Sequence, residues 1–312
     1  MKIVFMGTPE FAVPVLRCLI QEGYEIAAVY TRPDAPSGRG RLVAASPVKQ
    51  LAQQHALNVI QPKSLRKVEV QQEIRQLAPE AIIVAAYGLI LPQVVLDIPV
   101  LGCLNVHASL LPRHRGAAPI SAAIANGDCF TGVSIMQMDA GIDTGAVYTR
   151  SMTPVFDWDT TASLSERLAA IGAMTLLDIL PQIERRVITA TPQPGAGASY
   201  APMLSKEAGR INWQQPAPVI WRQTRALYPW PGAYTTWEGK SLKLVETKPL
   251  KFNHMTQSGT VVQIPATPAV PFGVATGDGV LGILALQLEG KRPVSAAEFL
   301  RGQRSFIGTV LG

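Results

Sequence analysis

The sequence has few cysteines and no long apolar run, and these two absences narrow the classes of protein to consider. Only three cysteines occur in 312 residues, Cys18, Cys103 and Cys129, and no two of them form a CxxC pair. This spacing argues against a disulfide framework or a structural zinc site and favours reduced thiols. No stretch reaches the roughly 20 apolar residues that a membrane helix requires, and Met1–Gly7 lacks the charged start and cleavage site of a signal peptide. We therefore expect a cytoplasmic protein that does not associate with membranes.

Motifs that bind nucleotides or metals are missing as well. The predicted first strand is followed by Gly7-Thr8-Pro9-Glu10, and the chain has neither a GxGxxG fingerprint nor a Gly-x-x-x-x-Gly-Lys-Ser/Thr loop. Dinucleotide and ATP use are therefore disfavoured. His55, His114 and His254 are isolated in the sequence, so we expect no metal.

The positive charge is unevenly distributed. The net charge is +6, with 28 Lys or Arg against 22 Asp or Glu. Residues 191–312 hold 12 basic and 6 acidic residues, so the first 190 residues hold 16 of each. A neutral part followed by a basic part is expected when one domain carries chemistry and the other holds a polyanion. A basic surface that serves only solubility would give the same counts.

The first 190 residues alternate short apolar runs with helical patterns. Strands are predicted at Lys2–Met6, Glu25–Thr31, Leu57–Ile60, Ala81–Ala86, Cys103–Val106, Gly132–Asp139 and Gly145–Met152. Helices are predicted at Pro9–Gln21, Ser46–His55, Val68–Leu77, Ala117–Asn126 and Thr160–Arg185. The alternation predicts an α/β catalytic domain over residues 1–188, with a Rossmann-like, mostly parallel sheet covered by helices on both faces.

The composition changes after this region. Thr189–Ser199 contains two Pro, two Gly and three Ala, which favours a linker over residues 189–205. Helical segments are expected at Leu204–Trp213, Pro216–Leu227 and Ser295–Leu300. Short strands are expected at Gly232–Thr236, Leu242–Thr247, Gly259–Ile264, Gly273–Ala275 and Val280–Gln287. Many short strands with frequent turns predict a small OB-like β-barrel in a basic domain over residues 206–312.

A dense polar cluster follows one of the apolar strands. Asn105 and His107 are two residues apart, so in an extended segment their side chains face the same way. They stand at the carboxyl end of the strand, the edge at which open α/β sheets bind ligands. An amide and an imidazole aimed at one point suit an oxygen that gains negative charge. A lone histidine at a strand end is more often a hydrogen-bonded structural residue, but the Asn-x-His pairing followed by a Pro- and Gly-rich turn favours the functional interpretation.

A glycine-rich loop later in the chain offers a carboxylate to complete the set. Asp139 and Asp143 lie in Asp139-Ala140-Gly141-Ile142-Asp143-Thr144-Gly145. Asp143 is predicted to orient His107, raise its pKa through its opposite charge and help to carry away a proton. Either aspartate could instead cap a turn, and this reading is favoured for Asp139.

These residues resemble the formyltransferase family that uses 10-formyltetrahydrofolate. The stretch from Asn105 to Pro119 matches Asn-x-His followed by Ser-Leu-Leu-Pro-x-x-Arg-Gly-x-x-Pro at every fixed position, and Asp143 falls on the family's later aspartate. The resemblance implies that Asn105, His107 and Asp143 are catalytic. It also implies a folate-binding loop at Ser109, Leu110, Leu111 and Pro112, and pterin contacts from the backbone at Tyr87, Gly88, Leu89 and Ile90.

Three further stretches resemble the methionyl-tRNA formyltransferase branch of this family. They are Ile3–Ala12, the loop Thr31–Leu42 and Leu204–Trp213. The loop places Arg32, Arg39 and Arg41 among Gly, Pro and Ser, which suits contact with RNA phosphates. The resemblance implies that this loop enters the major groove of the acceptor stem. Lys206 and Arg210 are predicted contacts from the basic part, although each alone could be an ordinary surface charge.

The resulting hypothesis is direct formyl transfer to methionyl-initiator tRNA during translation initiation, by a protein that is expected to be a monomer and not to bind DNA. The amine attacks the formyl carbon, and Asn105 and protonated His107 hold the oxyanion, assisted by Asp143. A folate-dependent enzyme that acts on a sugar nucleotide or another small amine is the first alternative. The second is an RNA-binding protein without activity.

Overall fold

The chain divides into two compact units in its computed structural model, which describes residues 1–37, 42–251, 255–265 and 270–312. Unit 1 comprises Met1–Pro119, Phe130–Pro154 and Leu164–Ala201. Unit 2 comprises Ile120–Cys129, Val155–Ser163 and Pro202–Gly312. Most of the segment predicted to be a linker therefore belongs to unit 1.

Unit 1 is built on a seven-stranded sheet. The strands of unit 1 are β1 (Lys2–Gly7), β2 (Glu25–Tyr30), β3 (Ala35–Ser37), β4 (Leu42–Ala44), β5 (Val59–Ile60), β6 (Ala81–Ala85), β7 (Cys103–His107), β8 (Phe130–Gln137) and β9 (Val147–Pro154). The large sheet has the order β5-β2-β1-β6-β7-β8-β9, and its first five strands run parallel. The prediction of a mostly parallel α/β sheet is confirmed.

Helices follow most of the parallel strands. The helices of the chain are α1 (Val13–Gln21), α2 (Pro47–Gln54), α3 (Val68–Leu77), α4 (Gln93–Leu96), α5 (Pro119–Asn126), α6 (Thr161–Glu184), α7 (Ala217–Ala226) and α8 (Ala296–Gly302). Ser46 caps α2 as predicted, because its hydroxyl accepts a hydrogen bond from the Lys49 amide at 3.1 Å. The sheet packs closely against α6, since a Cβ atom at Gly172 would lie 2.6 Å from Val106 Cγ1.

Two features of unit 1 differ from the sequence-based expectation. The first feature is that β8 runs antiparallel to both of its neighbours, β7 and β9. The short connection between β8 and β9 allows a hairpin but is too short for a parallel crossover. In addition, the described ends of the predicted arginine loop pair with each other, because β3 runs antiparallel to β4.

Unit 2 contains a curled antiparallel sheet. Its strands are β10 (Ala233–Trp237), β11 (Lys240–Leu250), β12 (Val261–Gln263), β13 (Phe272–Ala275), β14 (Val280–Leu288) and β15 (Val294–Ser295). The order is β10-β11-β14-β13-β12, and β15 pairs with β14. Residues near the C-terminus hydrogen-bond to both edges, because the Val261 amide donates to the Thr309 carbonyl and the Gly312 amide donates to the Thr236 carbonyl. These bonds curl the sheet into the barrel-like form that the turn pattern predicted.

The expected helix at Leu204–Trp213 does not form. Only Glu207–Gly209 makes a short 3₁₀ turn, and the Ile211 amide then donates to the Tyr234 carbonyl beside β10. A side chain at Gly209 would meet the Gly232 carbonyl oxygen at 2.3 Å. Close packing of this glycine against the loop before β10 therefore overrides the local helical preference.

Aromatic rings form the centre of the core of unit 2, and we expect truncation there to be costly. Phe306 is fully buried and packs edge-on against Trp237, Phe272 and Phe299 at centroid distances of 4.9–5.3 Å. Phe306→Ala should lower the free energy of unfolding by about 3–5 kcal/mol, because the lost contacts leave a cavity.

Denaturant titration followed by tryptophan fluorescence is the measurement for this variant, since all five tryptophans lie in unit 2. Phe130→Ala, at a ring that is 53% exposed, is the control. An unfolding midpoint for Phe306→Ala equal to that of the control would contradict the assigned core.

Candidate active site

The strand β7 places two of the predicted catalytic side chains on one face of the sheet. Asn105 and His107 alternate with Val106, which is buried on the opposite face beneath α6. The strand β7 lies between β6 and β8, so a neighbouring strand flanks it on each side within the sheet. Asn105 is half-buried and His107 is buried. The extended geometry of this segment therefore places the amide and the imidazole next to each other.

Both nitrogens of the His107 ring face an acceptor. Nδ1 lies 3.6 Å from Asp143 Oδ2, and Nε2 lies 3.1 Å from the carbonyl oxygen of His114. Burial lowers the pKa of His107 below its ordinary value because the charged ring loses water. Asp143 and the His114 carbonyl oppose this effect and raise the pKa. A neutral ring can donate a proton to only one of these acceptors, whereas the cation can donate to both.

Asp143 completes the cluster from the turn that follows β8. Its Oδ2 accepts a hydrogen bond from the Gly116 amide at 2.8 Å, and its Oδ1 lies 3.4 Å from Asn105 Nδ2. The side chain is 16% exposed, and the backbone has a left-handed φ of 51°. Asp139 instead accepts from the Thr144 hydroxyl and the Gly141 amide within its own loop. The structure thus brings Asn105, His107 and Asp143 together, and Asp139 acts as a turn cap.

The predicted folate loop after β7 is held mainly by its own polar groups. The Ser109 hydroxyl is buried and donates to the Arg113 carbonyl at 2.6 Å. Ser134 accepts from the Leu111 amide and donates to the Ser109 carbonyl. Leu111 is buried, whereas Leu110 and Pro112 are half-buried. The part of this loop that remains available to a ligand is therefore the backbone and the side chains of Leu110 and Pro112.

The second predicted folate stretch follows β6. The Tyr87 ring is buried in the core, its hydroxyl has no hydrogen-bond partner among the described residues, and burial raises its pKa. The Tyr87 carbonyl accepts from the Thr8 hydroxyl at 2.9 Å, which joins the loops after β1 and β6. Gly88 has a φ of 82° and Ile90 is exposed. The order of the strands reverses between β1 and β6, so these loops flank the crevice where such sheets bind ligands.

The predicted RNA contacts are divided between the two units. Arg32 is exposed in unit 1 beside the second folate stretch, since a Cβ atom at Gly88 would lie 3.3 Å from Arg32 Cδ. Lys206 and Arg210 are exposed in unit 2. Arg39 and Arg41 lie outside the described residues, as does His254.

Residues 191–201 support the cluster through contacts that the sequence did not predict. The Ser199 hydroxyl accepts from the His114 amide at 2.9 Å, and the Ser199 carbonyl accepts from the Arg115 amide at 2.8 Å. Gln193 hydrogen-bonds to Arg115 and to the loop of Asp143. The local composition of this segment is that of a linker, so it carried no signal for these contacts.

The comparison with known proteins assigns the chain to a family. A family model described as "Formyl transferase" matches residues 1–180, and one described as "Formyl transferase, C-terminal domain" matches residues 203–304. The chain belongs to the formyl transferase family. The methionyl-tRNA formyltransferase of Dehalococcoides mccartyi strain CBDB1 is 50% identical over 100% of this chain and 99% of its own. The methionyl-tRNA formyltransferase of Nitrosococcus oceani is 46% identical over 99% and 95% of the two chains.

Solved structures in this family share the fold at lower identity. WlaRD, a sugar 3N-formyl transferase determined in the presence of dTDP and 5-N-formyl-THF, gives a TM-score of 0.67 at 18% identity. The match covers 94% of this chain and 99% of that chain. The likeness shows that the two chains share the same fold.

Metal-binding groups and membrane helices are both absent from the part of the chain that the structure describes. No three His, Cys, Asp or Glu side chains in this part form a group able to hold a metal ion. No described helix combines the length and the apolar character needed to cross a membrane.

Proposed function

We propose that this protein transfers the formyl group of 10-formyltetrahydrofolate to the free α-amine of methionyl-initiator tRNA. The likeness to relatives named methionyl-tRNA formyltransferase, which extends over both units, carries the proposal. The cluster of Asn105, His107 and Asp143 supports acyl-transfer chemistry at the edge of the sheet. The expectations of a cytoplasmic monomer that does not bind DNA stay predictions.

The reaction is a displacement at the formyl carbon. The uncharged methionyl amine forms a new C–N bond, and the bond from the formyl carbon to N10 of the folate breaks. One amine proton ends on N10, so the products are formylmethionyl-tRNA and tetrahydrofolate. This balance needs no covalent intermediate on the enzyme and no oxidant.

Asn105 is the proposed donor to the oxyanion. Its Nδ2 group makes one long bond, to Asp143 at 3.4 Å, and carries a second N–H that can point toward the substrate. One positioned donor of this kind stabilises a tetrahedral oxyanion by about 3–4 kcal/mol. His107 reaches the same oxygen only if its Nε2 leaves the His114 carbonyl, to which it is hydrogen-bonded at 3.1 Å.

His107 and Asp143 are the proposed proton carriers. Because burial lowers the pKa of His107, the ring starts neutral near pH 7 and is able to accept the amine proton. The separation of 3.6 Å between Nδ1 and Asp143 Oδ2 is slightly longer than a direct hydrogen bond and short enough for the carboxylate to stabilise a charged ring. On protonation the ring gains a positive charge beside Asp143 at the moment the oxyanion forms. In this order of events the substrate amine supplies the proton that gives His107 its predicted role at the oxyanion.

Incubation with charged initiator tRNA and 10-formyltetrahydrofolate tests the function directly. The expected product is formylmethionine on the initiator tRNA, and elongator methionyl-tRNA is the control. Formylation of a sugar nucleotide without formylation of tRNA would favour the first alternative. Binding of tRNA without any formyl transfer would favour an inactive RNA-binding protein.

Substitutions in the predicted basic loop can distinguish a tRNA substrate from a small-amine substrate. We expect Arg39→Ala with Arg41→Ala to raise KM for methionyl-tRNA while KM for the folate stays unchanged. The reason is that neutralising phosphates with arginine contributes affinity in proportion to the number of contacts. Measured over a series of salt concentrations, the double variant should show a shallower salt dependence of tRNA binding than the parent protein.

Exposed arginines elsewhere provide the matched control for this pair. Arg17 and Arg66 are exposed in unit 1, outside the predicted contact regions, and their double replacement should leave KM for tRNA unchanged. An equal rise of KM for tRNA in both double variants would show that the net charge of the protein, and not the position of the arginines, determines tRNA affinity.

A further inference from the structure

The side chain of Gln193 joins the two loops that hold the catalytic cluster. Its Nε2 donates to the carbonyl oxygens of Asp143 at 2.8 Å and of Gly145 at 2.7 Å. Its Oε1 accepts from Arg115 Nη2 at 2.8 Å and from Arg115 Nε at 3.1 Å. The Gln193 amide thus contacts both the turn that carries Asp143 and Arg115. The next residue, Gly116, donates its backbone N–H to the Asp143 carboxylate.

All four hydrogen-bonding positions of this amide are occupied. A primary amide offers two donors and two acceptor lone pairs, and each has a partner here. The partners also fix the orientation of the amide, because two carbonyl oxygens require donors and a guanidinium requires an acceptor. A rotated amide would place oxygen against oxygen and N–H against N–H. Gln193 is therefore held in one orientation by Arg115, Asp143 and Gly145.

The loops that Gln193 joins have backbone conformations that need support. Asp143 has a φ of 51° and Gly116 a φ of 111°, both in the region that residues with side chains seldom adopt. A Cβ atom at Gly145 would lie 1.9 Å from the Gln137 carbonyl oxygen, so this end of the turn is tightly packed. Such conformations persist only where surrounding contacts impose them. The amide of Gln193 provides two of these contacts at the backbone of the turn.

We propose that Gln193 is a positioning residue that sets the Asp143 carboxylate against His107 and Asn105. The proposal rests on the proposed function for its activity test. Arg115 is the partner that holds the other side of the Gln193 amide. It is buried, and its backbone hydrogen-bonds to the Ser199 carbonyl and the Ala201 amide. The segment predicted as a linker thus becomes part of the support of the active site.

Two substitutions at Gln193 separate positioning from simple packing. Gln193→Glu keeps an acceptor for Arg115 but removes both donors to the Asp143 turn, and Gln193→Met removes all four hydrogen bonds at similar volume. We expect each to lower kcat by about 10²-fold, the loss typical of a displacement of roughly 1 Å at a reacting group. KM for both substrates should stay unchanged, because the hydrogen-bonding positions of the Gln193 amide are all occupied by protein groups. Gln182→Met, at a glutamine on the exposed face of α6, is the control.

Titration of the His107 ring by NMR gives a readout that does not depend on activity. Asp143 raises the pKa of His107, so a displaced carboxylate in Gln193→Met should let this pKa fall. An unchanged kcat in Gln193→Glu would overturn the proposal. A loss of kcat with an unmoved His107 titration and a lower melting temperature would also overturn it, in favour of a packing role. If the parent protein does not formylate methionyl-tRNA, the proposed function fails, and the titration still decides the role of Gln193.

Discussion

Replacement of His107 by alanine is expected to lower kcat for formyl transfer by about 10²–10⁴-fold, the contribution typical of a positioned acid or base. The ring is buried between Asp143 and the His114 carbonyl, and a methyl group there can neither accept the amine proton nor carry positive charge. Because the proposed tRNA contacts lie elsewhere in the chain, the affinity for tRNA should remain. Single-turnover kinetics with saturating folate and a filter-binding assay for tRNA measure the two effects separately.

The chain offers a matched control for this substitution. His55 is exposed just after α2, and His55→Ala should leave kcat unchanged. A turnover of His107→Ala equal to that of the control would remove His107 from the mechanism. Equal losses of kcat and tRNA affinity would indicate a disrupted fold instead of lost chemistry.

Replacement of Asp143 by asparagine is expected to have the second large effect. The substitution keeps the size of the side chain and one acceptor for the Gly116 amide, but it removes the negative charge facing His107. We expect kcat to fall by about 10²-fold or more, since the imidazolium that forms during proton transfer loses its counter-charge. Single-turnover rates for the variant and the parent protein, under the same saturating conditions, measure this loss.

The same substitution is predicted to lower the pKa of His107. Asp143 raises this pKa against the effect of burial, so its loss should lower the pKa further below the ordinary value near 6.5. A ring with a lower pKa takes up its proton only at more acidic pH. The NMR titration of His107 and the acidic limb of the kcat profile should therefore both move to lower pH in Asp143→Asn.

Asp139→Asn supplies the control from the same loop. Asp139 accepts hydrogen bonds from the Thr144 hydroxyl and the Gly141 amide, both within its own loop. The control should leave the titration of His107 and kcat unchanged. If Asp139→Asn and Asp143→Asn shift the titration equally, the effect comes from the net charge of the loop, and Asp143 loses its specific role.

The proposed catalytic cluster was accessible from the sequence because the geometry of Asn105 and His107 is largely local. Asn105 and His107 share a face simply because strand side chains alternate, and the apolar run of β7 predicts the strand. Asp143 followed from the family motif, since no local rule places a turn 36 residues later beside this strand. The antiparallel pairing of β7 and β8 is what brings that turn within hydrogen-bonding distance of Asn105.

Support for the cluster was not accessible in the same way. Gln193 stands in a segment rich in Pro, Gly and Ala, where a polar residue reads as an ordinary part of a linker. Its four hydrogen bonds join residues 48, 50 and 78 positions away, and no periodicity encodes such separations. The proton state of His107 is another example, because burial and the His114 carbonyl act on the ring only in the folded chain.

The sequence by itself determined the strand that carries Asn105 and His107, the alternating α/β pattern, the basic C-terminal part and the family motif. These features depend on side-chain periodicity, composition and neighbours along the chain. Tertiary structure alone decided the antiparallel pairing of β8 with β7, the extended course of Ile211 beside β10 and the hydrogen bonds of Gln193 to the Asp143 turn. Each of these depends on which distant backbone groups meet, and that is settled by packing and by the need to pair buried polar groups.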